Sequence, residues 1–104
     1  MKEIKEAVHR WTEKIDLRRM IGYAVVECEQ CVEVNFSIRL GKDYCSRPVG
    51  SFEMYDIESG GENWYAEGGL SFDGNTLIDY DGVGVLPNQI VNKLNELGIN
   101  TSEI

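Results

Sequence analysis

Asp79 and Asp81 stand two residues apart in LIDYDGVGVLP, residues 77–87, where an apolar run meets a glycine-rich break. Alternate residues of a strand share a face, so this pair would offer two carboxylates side by side. Carboxylates so placed can divide a reaction between them, one attacking an electrophile while the other moves the leaving group's proton. Joined by Glu67, they could instead hold a divalent cation. Either chemistry depends on elements that bring further groups to the same spot.

The string Asp79-Tyr80-Asp81-Gly82 resembles the opening motif of the haloacid-dehalogenase phosphatases. That resemblance implies Asp79 as nucleophile and Asp81 as acid/base. Val83 stands where the family usually has threonine. The family also needs a parallel sheet after the motif, then a lysine and more carboxylates for magnesium and phosphate. Only 23 residues follow Asp81, and Lys93 is the single basic one among them. A motif without its structural context carries little weight.

Other chemistries meet similar obstacles. Aligned as a calcium loop with Gly82 at the turn, the segment puts Leu77 and Asn88 at positions that require carboxylates. A metal-dependent nuclease at Glu67, Asp79 and Asp81 would want a neighbouring cation to draw in phosphate, and none is near in sequence. Cys28-Glu29-Gln30-Cys31 is a C-x-x-C pair, but only Cys45 and His9 remain to complete a zinc set. The pair also brackets an expected hairpin turn, whereas a redox pair opens a helix. His9 is the only histidine, which removes nucleophilic triads that need one as base. No cofactor is implied, and the chain reads as a non-enzyme.

The charge distribution is more informative. The net charge is −8, and its spread is uneven. Between Arg47 and Lys93 there is no Lys or Arg, while Glu53, Asp56, Glu58, Glu62, Glu67, Asp73, Asp79 and Asp81 all fall there. These carboxylates cannot neutralise one another. Such a field opposes direct binding of nucleic acid and favours a basic protein surface. Tyr55, Trp64 and Tyr65 lie among them and are residue types that anchor interfaces. The N-terminal MKEIKEAVHRW is charged and lacks an apolar signal core, and no run is long enough to span a membrane. Three cysteines fit a reducing compartment, so a cytoplasmic protein is expected.

The elements that must position these groups form one α+β domain over residues 1–104. Ile4, Val8, Trp11 and Ile15 recur at steps of four, three and four, which predicts a helix over 2–15. A sheet of about five antiparallel strands is expected over 21–81. Its first strand, 21–29, turns near Glu29-Gln30 into a second in which Val32, Val34, Phe36, Ile38 and Leu40 share a face. A polar connection over 41–48 leads to a strand at 49–55, and 58–63 reads as a loop. Strands at 64–72 and 76–81 flank Asp73-Gly74-Asn75. A three-residue turn there would align Leu70 and Phe72 with Ile78 and Tyr80, leaving Glu67, Leu77, Asp79 and Asp81 on the other face. A closing helix over 87–97 has Pro87 as its first residue, an apolar stripe of Ile90, Val91, Leu94 and Leu97, and Gly98 as its stop. Residues 100–104 read as a frayed tail, and both helices are expected on one face of the sheet.

The leading expectation is a small acidic inhibitor whose sheet face docks on a basic, nucleic-acid-binding protein. The contact set is Glu53, Asp56, Glu58, Glu62, Trp64, Tyr65, Glu67, Asp73, Asp79 and Asp81. Phage and mobile-element proteins that disarm restriction or CRISPR systems share this size and charge. A second reading is a structural or adaptor domain that binds through apolar surface on an edge strand, 31–40, or on helix 87–97, with a homodimer as one form. A third is a metal-dependent enzyme at Glu67, Asp79 and Asp81. The first requires Glu53, Glu67, Asp73, Asp79 and Asp81 on a common side, unmatched by Arg18, Arg19 or Arg47.

Overall fold

The computed structural model describes residues 5–15, 32–56, 64–82 and 86–104. They form strands β1 (Ala7–Ile15), β2 (Val32–Lys42), β3 (Pro48–Asp56), β4 (Trp64–Asp73) and β5 (Thr76–Gly82), followed by helix α1 (Asn88–Glu96). The strands make one antiparallel sheet in the order β1-β2-β3-β4-β5. The expected strand over 21–29, its hairpin turn and the loop over 58–63 lie outside the described residues.

The alternation in β2 sets the core. Val34, Phe36, Ile38 and Leu40 are all buried, and their cross-strand partners Met54 and Phe52 of β3 are buried with them. Ala66, Leu70 and Phe72 of β4 continue the layer. Helix α1 covers this face with Ile90 and Leu94, and Leu86 and Ile99 pack at its two ends. Burial of such side chains contributes about 1.5–3 kcal/mol each. Among the described residues no polar side chain is fully buried.

Glycine fits where the core face is crowded. A Cβ on Gly68 would fall on the Asp81 carbonyl oxygen and 2.9 Å from Cε1 of Phe52, whose ring fills the space. Gly82, opposite Gly68, meets the same obstacle at the Glu67 carbonyl. An aromatic ring spread over a strand glycine compensates for the packing that residue lacks.

Three expectations need correction. Residues 7–15 are a strand, and the described residues contain one helix, α1. A step of four keeps Trp11 and Ile15 on one face in a helix and in a strand alike. Only the step of three from Val8 to Trp11 separates the two periods, and Val8 is 41% exposed on the opposite face. Trp11 faces the core across from Phe36, with stacked rings 5.2 Å apart. Its indole N–H donates to Glu13 at 2.9 Å, and Lys93 of α1 covers its ring at 5.1 Å. The helix is thereby tied to the β1 side of the sheet.

The second correction concerns the β4–β5 turn, which has two residues, Gly74-Asn75, between the paired Asp73 and Thr76. Gly74 takes a left-handed φ of 59° there. The register then shifts between Ser71 and Phe72, so that Phe72 opposes Leu77 and Ser71 opposes Asp79. Ile78 is the extra residue of this bulge and is 51% exposed, while Leu77 is buried. Leu77 and Ile78 thus exchange their expected faces, and Tyr80, Asp79 and Asp81 keep theirs.

The third is the C-terminus. Gly98, at φ 85°, ends α1 as expected, with its N–H donating to the Asn95 carbonyl and that of Ile99 to Leu94. This is the Schellman pattern, and it pins Leu94 and Ile99 together. The chain then runs beside β5, where Asn100 accepts from the Leu77 N–H and donates to Asn75, each at 2.8 Å. Asn100, the first residue of the tail expected to fray, is therefore anchored. Pro87 is the residue before the helix, its carbonyl accepting from Ile90 and Val91.

Candidate functional site

Every second residue of the sheet points away from α1. On this outer face Glu53 of β3 lies directly opposite Glu67 of β4. Asp81 opposes Gly69 one step further along β4, and Asp79 opposes Ser71 one step beyond that. All four carboxylates are exposed. Alternate positions along a strand are about 6–7 Å apart and neighbouring strands about 4.8 Å apart. The structure therefore brings Glu53, Glu67, Asp79 and Asp81 onto one surface. Asp73, exposed at the end of β4, belongs to the same side by alternation.

The register that produces this face depends on the bulge at Ile78. Without the extra residue, a two-residue turn that buries Leu77 would send Asp79 and Asp81 into the core layer. The bulge lets Leu77 face inward and the two aspartates outward on the same strand.

No arginine or lysine lies within ion-pair distance of these carboxylates among the described residues, where the ion pairs are Asp43–Arg47 and Lys93–Glu96. Arg47 is engaged by Asp43 in the β2–β3 turn, its Nε donating at 2.9 Å. The Asp43 carboxylate also accepts from the backbone N–H groups of Arg47 and Cys45. These bonds, that from the Arg47 N–H foremost, hold its carboxyl below the usual carboxylate range. Arg18 and Arg19 lie outside the described residues.

Between Glu53, Glu67 and Asp81 the face dips into a shallow depression of about 310 Å³ beside Ser51 and Gly69. Three carboxylates rim it, so the local field is negative. The trio named for metal chemistry is arranged differently. Glu67 and Asp79 are separated by two alternate positions along the sheet, roughly 13 Å, with Asp81 between them. Among the described residues no group of three or more His, Cys, Asp or Glu side chains is disposed to hold a metal ion.

The remaining candidates are less central. Asp56 closes β3, and Trp64 and Tyr65 open β4, with a register shift that pairs Tyr55 with Trp64. Glu58 and Glu62 lie outside the described residues, as do Cys28 and Cys31. Cys45 is free and exposed in the β2–β3 turn. His9 faces the α1 side of β1, opposite Ile38.

Sequence reasoning missed the opposite end of this face. Arg10 and Lys14 of β1 and Arg39 of β2 are exposed on it, opposite Ser37, Glu33 and Ser51 respectively. Reading residues 2–15 as a helix hid two of these three cations, because a helix would have removed them from the sheet. The sheet's outer face is therefore basic toward β1 and acidic toward β5.

No protein-family model matches the chain, and no curated protein or solved structure matches it significantly. Among the described residues no helix is long and apolar enough to cross a membrane.

Proposed function

We propose that this chain is a non-enzymatic binding protein whose acidic sheet face docks on a basic surface of a nucleic-acid-handling protein. The observation that carries this reading is the Glu53–Glu67 pair, two like charges directly opposite on an exposed face, extended by Asp81 and Asp79. Like charges in that relation weaken a sheet, so the fold itself gives no reason for them. A partner rich in Lys and Arg does, since it supplies the missing counter-charge. The spacing of alternate carboxylates, about 6–7 Å, is close to that of successive phosphates along a nucleic-acid strand. In its sharpest form the protein is a nucleic-acid mimic that occupies the groove of a nuclease or related enzyme, as anti-defence proteins of phages do.

The apolar-interface reading has less support. The strand proposed for it, β2, lies between β1 and β3 rather than at an edge. The apolar side of α1 is turned onto the sheet, with Ile90 and Leu94 buried and Val91 and Leu97 packed beside them.

The test is capture of partners from host lysate at low salt, elution at high salt, and competition with duplex DNA or RNA. A mimic releases its partner to the nucleic acid and loses affinity steeply with salt. A partner retained in 1 M salt and indifferent to nucleic acid would point to an apolar interface instead.

A further inference from the structure

The two signs on the outer face are set out in register. One row across the strands runs Arg10, Ser37, Glu53, Glu67. The next runs Val8, Arg39, Ser51, Gly69, Asp81. Serine stands on β2 in the first row and on β3 in the second, with the cations on the β1–β2 side and the carboxylates on the β3–β5 side. We propose that this face pairs weakly with the same face of a second copy, about a two-fold axis parallel to the strands and between β2 and β3.

Rotation about that axis lays β1 over the second copy's β4 and β2 over its β3. Arg10 then stands over the second copy's Glu67, and Ser37 over its Glu53. Symmetry repeats both contacts, as it does in any isologous interface. Stacked sheets lie about 10 Å apart. Arginine and glutamate can bridge such a gap from opposite sides, while the serines leave room for water between them. An axis through β3 would set Glu53 against its own copy, so the charges select the position between β2 and β3.

The size of the contact limits its strength. Four strands at about 4.8 Å, each contributing roughly seven residues at about 3.3 Å, cover about 450 Å² per copy. The total of about 900 Å² falls with weak, transient contacts. Each chain also carries −8, which opposes approach. Near 0.1 M salt the Debye length is about 10 Å, which screens the distant charges more than the facing pairs. Pairing is thus a concentration-dependent equilibrium that high salt dissolves.

This inference uses the face of the docking reading without depending on it. A basic partner would compete with the second copy. The two differ in sign at Arg10: Arg10→Glu extends the acidic surface and strengthens docking on a basic protein, but it weakens self-pairing.

The experiment is sedimentation equilibrium of the full chain at submillimolar concentration and about 0.1 M salt, with Arg10→Glu, Glu67→Arg and the double variant. The wild type is expected to dimerise and each single variant to weaken the dimer by about tenfold, because each change strikes two symmetric pairs. The double variant has the wild-type net charge and restores the pair with its signs exchanged. It is expected to recover to within about threefold of wild type. Thermal melts verify that all three variants fold; should one not, Arg10→Asp and Glu67→Lys replace the pair, with the same loss for each and the same recovery together expected. A wild type monomeric throughout overturns the proposal, as does a double variant no better than the singles. Either result leaves the docking reading to its own salt and competition test.

Discussion

Replacing Glu67 with lysine is expected to make the protein more stable while removing its proposed activity. Glu67 faces Glu53 directly across β3 and β4, on an exposed surface. Two charges about 5 Å apart repel by roughly 0.8 kcal/mol in a water-like dielectric. A Debye length of about 8 Å at physiological salt cuts that to roughly 0.4 kcal/mol. Glu67→Gln should therefore gain about 0.4 kcal/mol, and Glu67→Lys, which inverts the sign, about 0.8 kcal/mol. Both lie within the range measured for cross-strand pairs. For a domain of this size the gains correspond to roughly 2–3 °C and 3–6 °C in Tm. Thermal melts followed by circular dichroism at low and high salt provide the assay. The gain should shrink toward zero near 1 M salt, and Glu53→Gln combined with Glu67→Gln should gain little beyond either alone. A lowered Tm for Glu67→Lys, or a gain that persists unscreened, would refute the repulsion. An acidic row that weakens its own sheet is what the proposed docking role requires.

The crowding at Gly68 predicts a sharp contrast between neighbours. Gly68→Ala should destabilise by about 2–3 kcal/mol, while Gly69→Ala, whose nearest contact is 4.0 Å away, should stay within about 0.5 kcal/mol, both read by urea denaturation. Leu94→Ala, at the centre of the helix contact, should cost about 2–5 kcal/mol through the cavity it leaves. Asp43 has a lowered carboxyl pKa in the folded state, so its contribution is present above the ordinary value of 3.8 and is lost as pH falls through the folded value. Carboxyl NMR should place its midpoint below 3.8, and the Cys45 and Arg47 amide signals should move with it; a midpoint at or above 3.8 would contradict the hydrogen bonding described.

Much of the sheet is legible in the chain because binary alternation has an unambiguous meaning when it persists. Val34 to Leu40 and their polar neighbours leave one choice of face, and the outward aspartates of β5 follow from keeping carboxylates together. Gly98 likewise announces the end of α1, since a left-handed residue closes a Schellman motif at little cost. The N-terminal strand is not legible for a physical reason. Trp11 and Ile15 satisfy a helix and a strand equally, and β1 becomes a strand by pairing with the β2 edge, a non-local event. The bulge at Ile78 is similarly hidden, because one extra residue changes the faces of Leu77 and Ile78 without altering composition. The basic side of the outer face was lost with β1, and so was the bipolar character of the surface.

The central claim is that position on the outer face, rather than total negative charge, determines docking. Two variants with equal net charge separate these directly: Asp79→Lys with Asp81→Lys on the face, and Glu96→Lys with Glu103→Lys on the exposed helix and tail. Affinity for the captured partner, measured by calorimetric titration at about 0.1 M salt, is expected to fall more than about tenfold for the first pair and to stay within about twofold for the second. Equal losses from both pairs, or none from the first, would contradict the account.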